Sequence, residues 1–225
     1  MDLNQAMQEL ESLGSEQTRK TWGRHGAAEP MFGVKFGDLG KLHKRIKTDH
    51  ALARALWNTG NHDARLLGCM AADVAKATAE ELKAWAVEAK DSATLEALAG
   101  FASRTPLAAE IREVWLADPK LQRAGWSMVA HSAAARGPSG GAALTEAAAL
   151  GYLQRIEAGI HAAENWTRRT MMYAVLGIGG QSPALRKAAE AAIRRIGPVA
   201  FHPGKTACEF PDPLPYLEKM WARKK

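Results

Sequence analysis

The run Glu164-Asn165-Trp166-Thr167-Arg168-Arg169-Thr170-Met171-Met172-Tyr173 combines cations and aromatic rings at helical spacing. On a helix, Trp166, Arg169 and Tyr173 stand at i, i+3 and i+7 and share one face. Met171 and Val175 point the opposite way, toward a core. A guanidinium between two rings suits a face that meets nucleic acid: the cation pairs with a phosphate while the rings offer stacking planes. The competing reading is structural, with Trp166 and Tyr173 half-buried between helices and Arg169 lying along them. Leu121, Ala124, Gly125, Met128 and Val129 cluster on one side of a second helix. Arg123 points away from them, with Trp126 three residues on. This is again an arginine and an aromatic on an apparent non-core face, unless Trp126 packs between neighbouring helices.

Charge is distributed in favour of the polyanion reading. The chain carries a formal net charge of +6. From Asn165 to Lys225 there are 11 Lys/Arg against 4 Asp/Glu, whereas residues 1–50 and 51–164 nearly balance. Such an excess at one end is expected of a protein that meets nucleic acid with that end. Lys187 and Arg194, seven residues apart on the outer side of one helix, and Lys205 beyond it extend this basic region. No segment combines a wide apolar face with a basic one, and no apolar run approaches membrane-spanning length. A cytoplasmic, monomeric protein is expected, since Met1 to Leu13 is amphipathic and mixed in charge, unlike a signal peptide.

These side chains must be positioned by helices. At 225 residues and 47% hydrophobic, the chain can bury a full core. Alanine is abundant and β-branched residues are scattered, which favours packed helices. Leu3, Met7, Leu10 and Leu13 form a first apolar stripe, and a loop is expected through Gly23 to Pro30. Asp38 reads as the N-cap of a helix burying Leu39, Leu42 and Ile46, with Lys41, Lys44, Arg45 and Lys47 on its solvated side. Helices follow at about 50–58, 62–75, 79–89, 92–102, 106–117 and 119–135. After the loop Gly137-Pro138-Ser139-Gly140-Gly141, an alanine-rich helix runs to about His161. Another runs from Ser182-Pro183 to Ile196, and Tyr216 to Trp221 closes the chain. Short helices joined by brief connections describe antiparallel pairs stacked in series, at a spacing near the ~40 residues of HEAT units. The expected fold is all-α, a right-handed solenoid of HEAT-like antiparallel helix pairs. It forms one domain over residues 1–225, with an irregular segment from about 198.

Other chemistries fit poorly. Gly204-Lys205-Thr206 copies the end of a phosphate-binding loop, but Val199 stands where a glycine is required and no strand precedes it. Gly177-Ile178-Gly179-Gly180 reads as a helix terminus. The pairs Asp49-His50 and His62-Asp63 read as helix caps rather than acid–base dyads. Cys69 and Cys208 lie far apart with no CxxC, and His202 with Cys208 supplies too few ligands for a metal. No cofactor or metal is expected, and no catalytic group is evident.

Taken together, several stretches resemble the AlkD-like DNA alkylation repair proteins, a family of HEAT-like helical solenoids. Phe32-Gly33-Val34-Lys35-Phe36-Gly37-Asp38-Leu39 resembles the family's N-terminal turn before a basic helix. His62-Asp63-Ala64-Arg65-Leu66-Leu67 is similar to its acidic-x-Arg helix. Leu121-Gln122-Arg123-Ala124 matches a helix start whose arginine approaches the DNA backbone, and Tyr173 falls where an aromatic lines the concave surface. Gly204-Lys205-Thr206-Ala207-Cys208, with Pro211-Asp212 and Tyr216, looks like the C-terminal tail of one subgroup. One departure stands out. The family's excising members carry a Trp-Asp-x-x-Asp motif, and the corresponding stretch here, Asp91 to Gly100, puts Ala93 at the tryptophan and Ala97 at the second aspartate. A methyl group cannot stabilise a cationic sugar, and Asp91 and Glu96 read as solvent-facing. The resemblance therefore implies a binder of duplex, damaged or structured DNA in a concave basic face, with little base excision. Arg123, Arg169, Lys187 and Lys205 would contact phosphates, and Trp126, Trp166 and Tyr173 would press on sugars or bases. The alternatives are a DNA glycosylase releasing 3-methyladenine or 7-methylguanine, and a protein-interaction solenoid.

Overall fold

The computed structural model describes residues 1–134, 143–204 and 210–223. Thirteen helices and no strand occur among them. They group into two compact units, Met1–Thr105 and Pro106–Lys225.

The first unit holds α1 (Leu3–Leu13), α2 (Glu16–Arg24), α3 (Phe36–Ile46), α4 (His50–Asn58), α5 (His62–Ala71), α6 (Ala79–Glu88) and α7 (Ser92–Ala102). Side-chain caps start most of them: Asp2, Ser15, Asp49, Asn61, Thr78 and Asp91 each accept a first-turn N–H. α4 packs on α5, α5 on α7 and α6 on α7. Leu10, Val34, Leu39, Leu56, Leu66 and Leu67 form one buried cluster. Trp57 stacks on Trp85 with centroids 4.4 Å apart, and Phe101 lies 6.0 Å further on.

The second unit holds α8 (Ala108–Ala117), α9 (Gln122–Ala134), α10 (Glu146–Gly159), α11 (Asn165–Gly179), α12 (Pro183–Ile196) and α13 (Pro213–Ala222). α11 is its axis, packed against α9, α10, α12 and α13. Trp126, Val129, Leu153, Ile156, Met171, Val175, Ile178, Leu185 and Ile193 lie in its core.

Four local expectations need correction. Part of the stretch read as a loop up to Pro30 is α2, which buries no residue and so shows no apolar stripe. Two polar ties and a ring contact hold it instead: Trp22 Nε1 donates to the Val34 carbonyl at 3.2 Å, Arg19 pairs with Glu29 at 2.6 Å, and the Trp22 ring meets Phe36 edge to face at 5.1 Å. Gly33 permits the crossing, because it has φ +81° and a Cβ there would sit 2.5 Å from the Ser15 carbonyl oxygen. Asp38 is not an N-cap. α3 begins at Phe36 and Asp38 lies in its first turn, paired with Lys41. The helix from His62 ends at Ala71, followed by a turn in which Asp73 accepts the Ala75 N–H.

Asp63 likewise does not cap its own helix. It is fully buried, and its carboxylate accepts the N–H groups of Phe32, Gly33 and Val34 at 2.7–2.9 Å. The aromatic-Gly-Val turn and the acidic residue of α5 are thus two halves of one structural device.

Candidate nucleic-acid interface

α11 presents two unlike faces because its apolar residues recur at helical spacing and its cation and rings fall between them. Met171, Ala174, Val175 and Ile178 are buried, while Trp166, Arg169 and Tyr173 remain part-exposed. The Arg169 guanidinium carbon lies 4.8 Å from the Tyr173 ring centroid, 5.8 Å from that of Trp166 and 5.9 Å from that of Phe201. A nitrogen of the same group donates to the Tyr173 hydroxyl at 3.3 Å. From α9, Arg123 brings its guanidinium carbon to 5.4 Å from the same Trp166 ring. Two guanidinium groups therefore share one indole, a cation–π arrangement that concentrates positive charge on part-exposed rings. Arg169 has no carboxylate partner among the described residues.

Four residues singled out from the sequence, Arg123, Trp166, Arg169 and Tyr173, are thus brought together. The others are not. Lys187 is exposed on α12 and takes no part in the ring contacts. Lys205 lies outside the described residues. Trp126 requires a correction, since it is 3% exposed in the core, with Tyr152 6.2 Å away edge to face and Arg155 5.7 Å from its centroid. Packing between α9 and its neighbours buries both sides of that helix, so a one-face reading assigned Trp126 to the wrong side. The indole cannot press on a nucleotide from there.

Phe201 and Phe210 were missed. Phe201 meets Trp166 edge to face at 5.2 Å and Phe210 meets Tyr173 in the same way at 5.0 Å. Periodicity carries no signal in an irregular segment, although two aromatic rings in a proline-bearing stretch must cover something. Arg168, beside Arg169 in sequence, has a structural use: its guanidinium donates to the carbonyls of Ala163 and His161 at 2.7 and 3.1 Å.

In the first unit, Ala93 and Ala97 are partly buried against the core cluster. Asp91 is not solvent-facing, contrary to the reading from sequence. It caps α7, accepting the Ala93 and Thr94 N–H groups at 2.9 and 3.1 Å and the Thr94 hydroxyl at 2.6 Å. The Nδ1 atom of buried His62 stands 3.4 Å from Asp91 Oδ2, the oxygen that also accepts the Thr94 hydroxyl. Burial pushes the Asp91 carboxyl up, but His62 and the Thr94 bonds outweigh it and hold the group down at about 2. A carboxylate this fully engaged is a cap rather than a free general base. No group of three or more His, Cys, Asp or Glu suited to a metal occurs among the described residues. No helix among them is long and apolar enough to cross a membrane.

Several known proteins are similar to this chain over most of its length. An uncharacterized protein of Listeria innocua is 30% identical over 219 residues, covering 94% of this chain and 93% of that protein. One from Listeria monocytogenes is 29% identical over 225 residues, covering 96% of each. A solved structure, described as a new family of proteins related to the HEAT-like repeat DNA glycosylases with affinity for branched DNA structures, superposes with a TM-score of 0.89. It is 26% identical, and the match covers all of this chain and 95% of that one. The all-α fold is accordingly HEAT-like. The model for the DNA alkylation repair enzymes matches residues 6–172, most of the sequence, and the chain belongs to that family.

Proposed function

We propose that this chain binds DNA against the arginine–aromatic face of its second unit and releases alkylated bases slowly or not at all. The observation that carries the reading is the gathering of Arg123 and Arg169 around the part-exposed Trp166, with Tyr173 beside them. The guanidinium groups pair with phosphates, and the rings press on sugars or unpaired bases. Lys187 and Lys205 add charge at the same end of the sequence. The solved relative is described as having affinity for branched DNA structures, and we extend that preference to this chain. Part-exposed rings backed by guanidinium groups suit a junction, where stacking is interrupted.

The same reading leaves base excision without its groups. Ala93 and Ala97 stand where the resemblance calls for an indole and a carboxylate, and both methyl groups pack on the core cluster. Losing one well-placed electrostatic group typically costs ~100- to 1000-fold in rate. The rival is a glycosylase, favoured by membership in a family of repair enzymes.

Titrating a labelled four-way junction and a matched duplex, beside a base-release assay on methylated DNA, tests both. We expect salt-sensitive binding that is tighter for the junction and weakened in Arg123→Ala/Arg169→Ala/Lys187→Ala. We also expect release of 3-methyladenine and 7-methylguanine at the spontaneous rate. Release well above that rate, abolished by Glu96→Gln in a variant that melts like the parent, would establish the glycosylase instead. Absence of salt-sensitive DNA binding would leave a protein-interaction solenoid.

A further inference from the structure

The arginine–aromatic cluster is not completed by the helices that present it. The family match ends at residue 172, one short of Tyr173, and the rings that meet Trp166 and Tyr173 come from beyond α12. Phe201 is fixed by main-chain bonds on both sides. The Asn165 side chain donates to the His202 carbonyl and accepts the His202 N–H, both at 2.8 Å, while Arg168 reaches the Ala200 carbonyl at 3.4 Å. Phe210 leads through Pro211 into Asp212, which caps α13. That helix is anchored in turn by the buried Leu217 and by the Trp221 indole, which donates to the Gly179 carbonyl at 2.8 Å.

We infer that Phe201 and Phe210, which follow α12 in the chain, are positioning residues for DNA binding. Resting on the DNA-binding reading above, the inference assigns them a role through their neighbours. They hold the planes of Trp166 and Tyr173, and these rings together with Phe201 confine the Arg169 guanidinium before DNA arrives. A long arginine side chain otherwise surrenders its rotamer freedom on binding, so confining it beforehand strengthens association without a new contact. Phe201 and Phe210 do not occlude the face, because Trp166, Arg169 and Tyr173 stay part-exposed with both in place. Edge-to-face contact needs a ring, so an aliphatic side chain of similar bulk fills the space without fixing the plane.

The test is a salt-series titration of a labelled four-way junction with the full chain, alongside thermal melting. The variants are Phe201→Ala/Phe210→Ala, Phe201→Leu/Phe210→Leu, Phe201→Tyr/Phe210→Tyr and Arg169→Ala, the last alone and combined with the alanine pair. The alanine and leucine pairs should each weaken binding ~10-fold by loss of preorganisation. Their log–log salt slope should stay at the parent value, because Arg169 still reaches its phosphate once bound, whereas Arg169→Ala should lower its magnitude by ~0.9. The tyrosine pair should bind like the parent, and the alanine pair should add nothing in the Arg169→Ala background. If the alanine pair melts before it can be titrated, the leucine pair, which keeps the apolar bulk, decides. Parental or tighter binding by the alanine pair overturns the inference, as does full binding by the leucine pair. A parent that fails to bind the junction at low salt overturns the DNA-binding reading and this inference with it; a parent that binds while the pairs behave normally overturns the inference alone.

Discussion

Asp63 accepts three main-chain N–H groups from one turn, and no other side chain supplies the same set of acceptors at that length. Asparagine keeps one acceptor oxygen and turns an NH2 toward donors, leaving buried N–H groups unpaired. We expect Asp63→Asn to cost about 3 kcal/mol in urea unfolding, from charge-assisted bonds lost and donors stranded. Asp91 gives a pH dependence. Its folded carboxyl is held at about 2, below its ordinary value of 3.8, so its charged form contributes stability that is present above pH 4. That contribution is lost as pH falls through 2. A depression of this size corresponds to roughly 2 kcal/mol. Unfolding measured between pH 5 and pH 2 should show a parent–Asp91→Asn gap that narrows toward the acid end. A constant gap would mean that the charge plays no part.

Helix approach in the second unit depends on residues with no side chain. At Gly125 on α9, a Cβ would sit 2.8 Å from the Leu116 backbone nitrogen and 2.9 Å from its Cγ, so α8 and α9 touch through main chain. Gly125→Ala forces them apart. We expect a loss of about 2 kcal/mol, within the range of overpacked cores, read from the melting midpoint. The same unit buries Arg112, 7% exposed, which donates to the Tyr152 hydroxyl at 2.7 Å and to Ser132 Oγ at 3.1 Å. Tyr152 in turn donates to Glu113, which also receives Arg155 at 2.8 Å. This network links α8, α9 and α10. Replacing Tyr152 with Phe leaves the Arg112 guanidinium short of an acceptor and should cost about 2 kcal/mol. If Tyr152→Phe were neutral in urea unfolding, the ring packing rather than the hydroxyl would be holding these helices.

For the molecule as a whole, charge sets the expected response to salt. The 11 Lys/Arg after Asn165 face only 4 Asp/Glu, and part of that charge is already committed: Arg195 to Glu157, Arg186 to Glu190 and Arg168 to main-chain carbonyls. Arg169, Lys187 and Arg194 have no carboxylate partner among the described residues. Only uncommitted cations release counterions from DNA. The log–log salt slope should therefore fall by ~0.9 for Arg169→Ala or Lys187→Ala. It should stay within error for Arg195→Ala, whose charge is already neutralised. A slope change for Arg195→Ala as large as that for Arg169→Ala would place the DNA on a different face.

How much of this was legible in the chain itself depends on how local the cause was. Caps, apolar stripes and breaks act within a turn or two, which is why helices 50–58 and 92–102 and the helix after Ser182 could be read with near-correct bounds. The shared face of Trp166, Arg169 and Tyr173 follows from helical geometry alone. α2 was hidden because it buries nothing and is held by ties to residues ten or more positions away. Trp126 was misjudged because one helix shows which residues are apolar, not how many neighbours pack around it. Only tertiary structure could join Arg123 to Trp166, bring Phe201 and Phe210 onto the same cluster, and make Asp63 the anchor of a turn thirty residues earlier. Those contacts depend on where separate elements meet, and no periodicity within a segment records it.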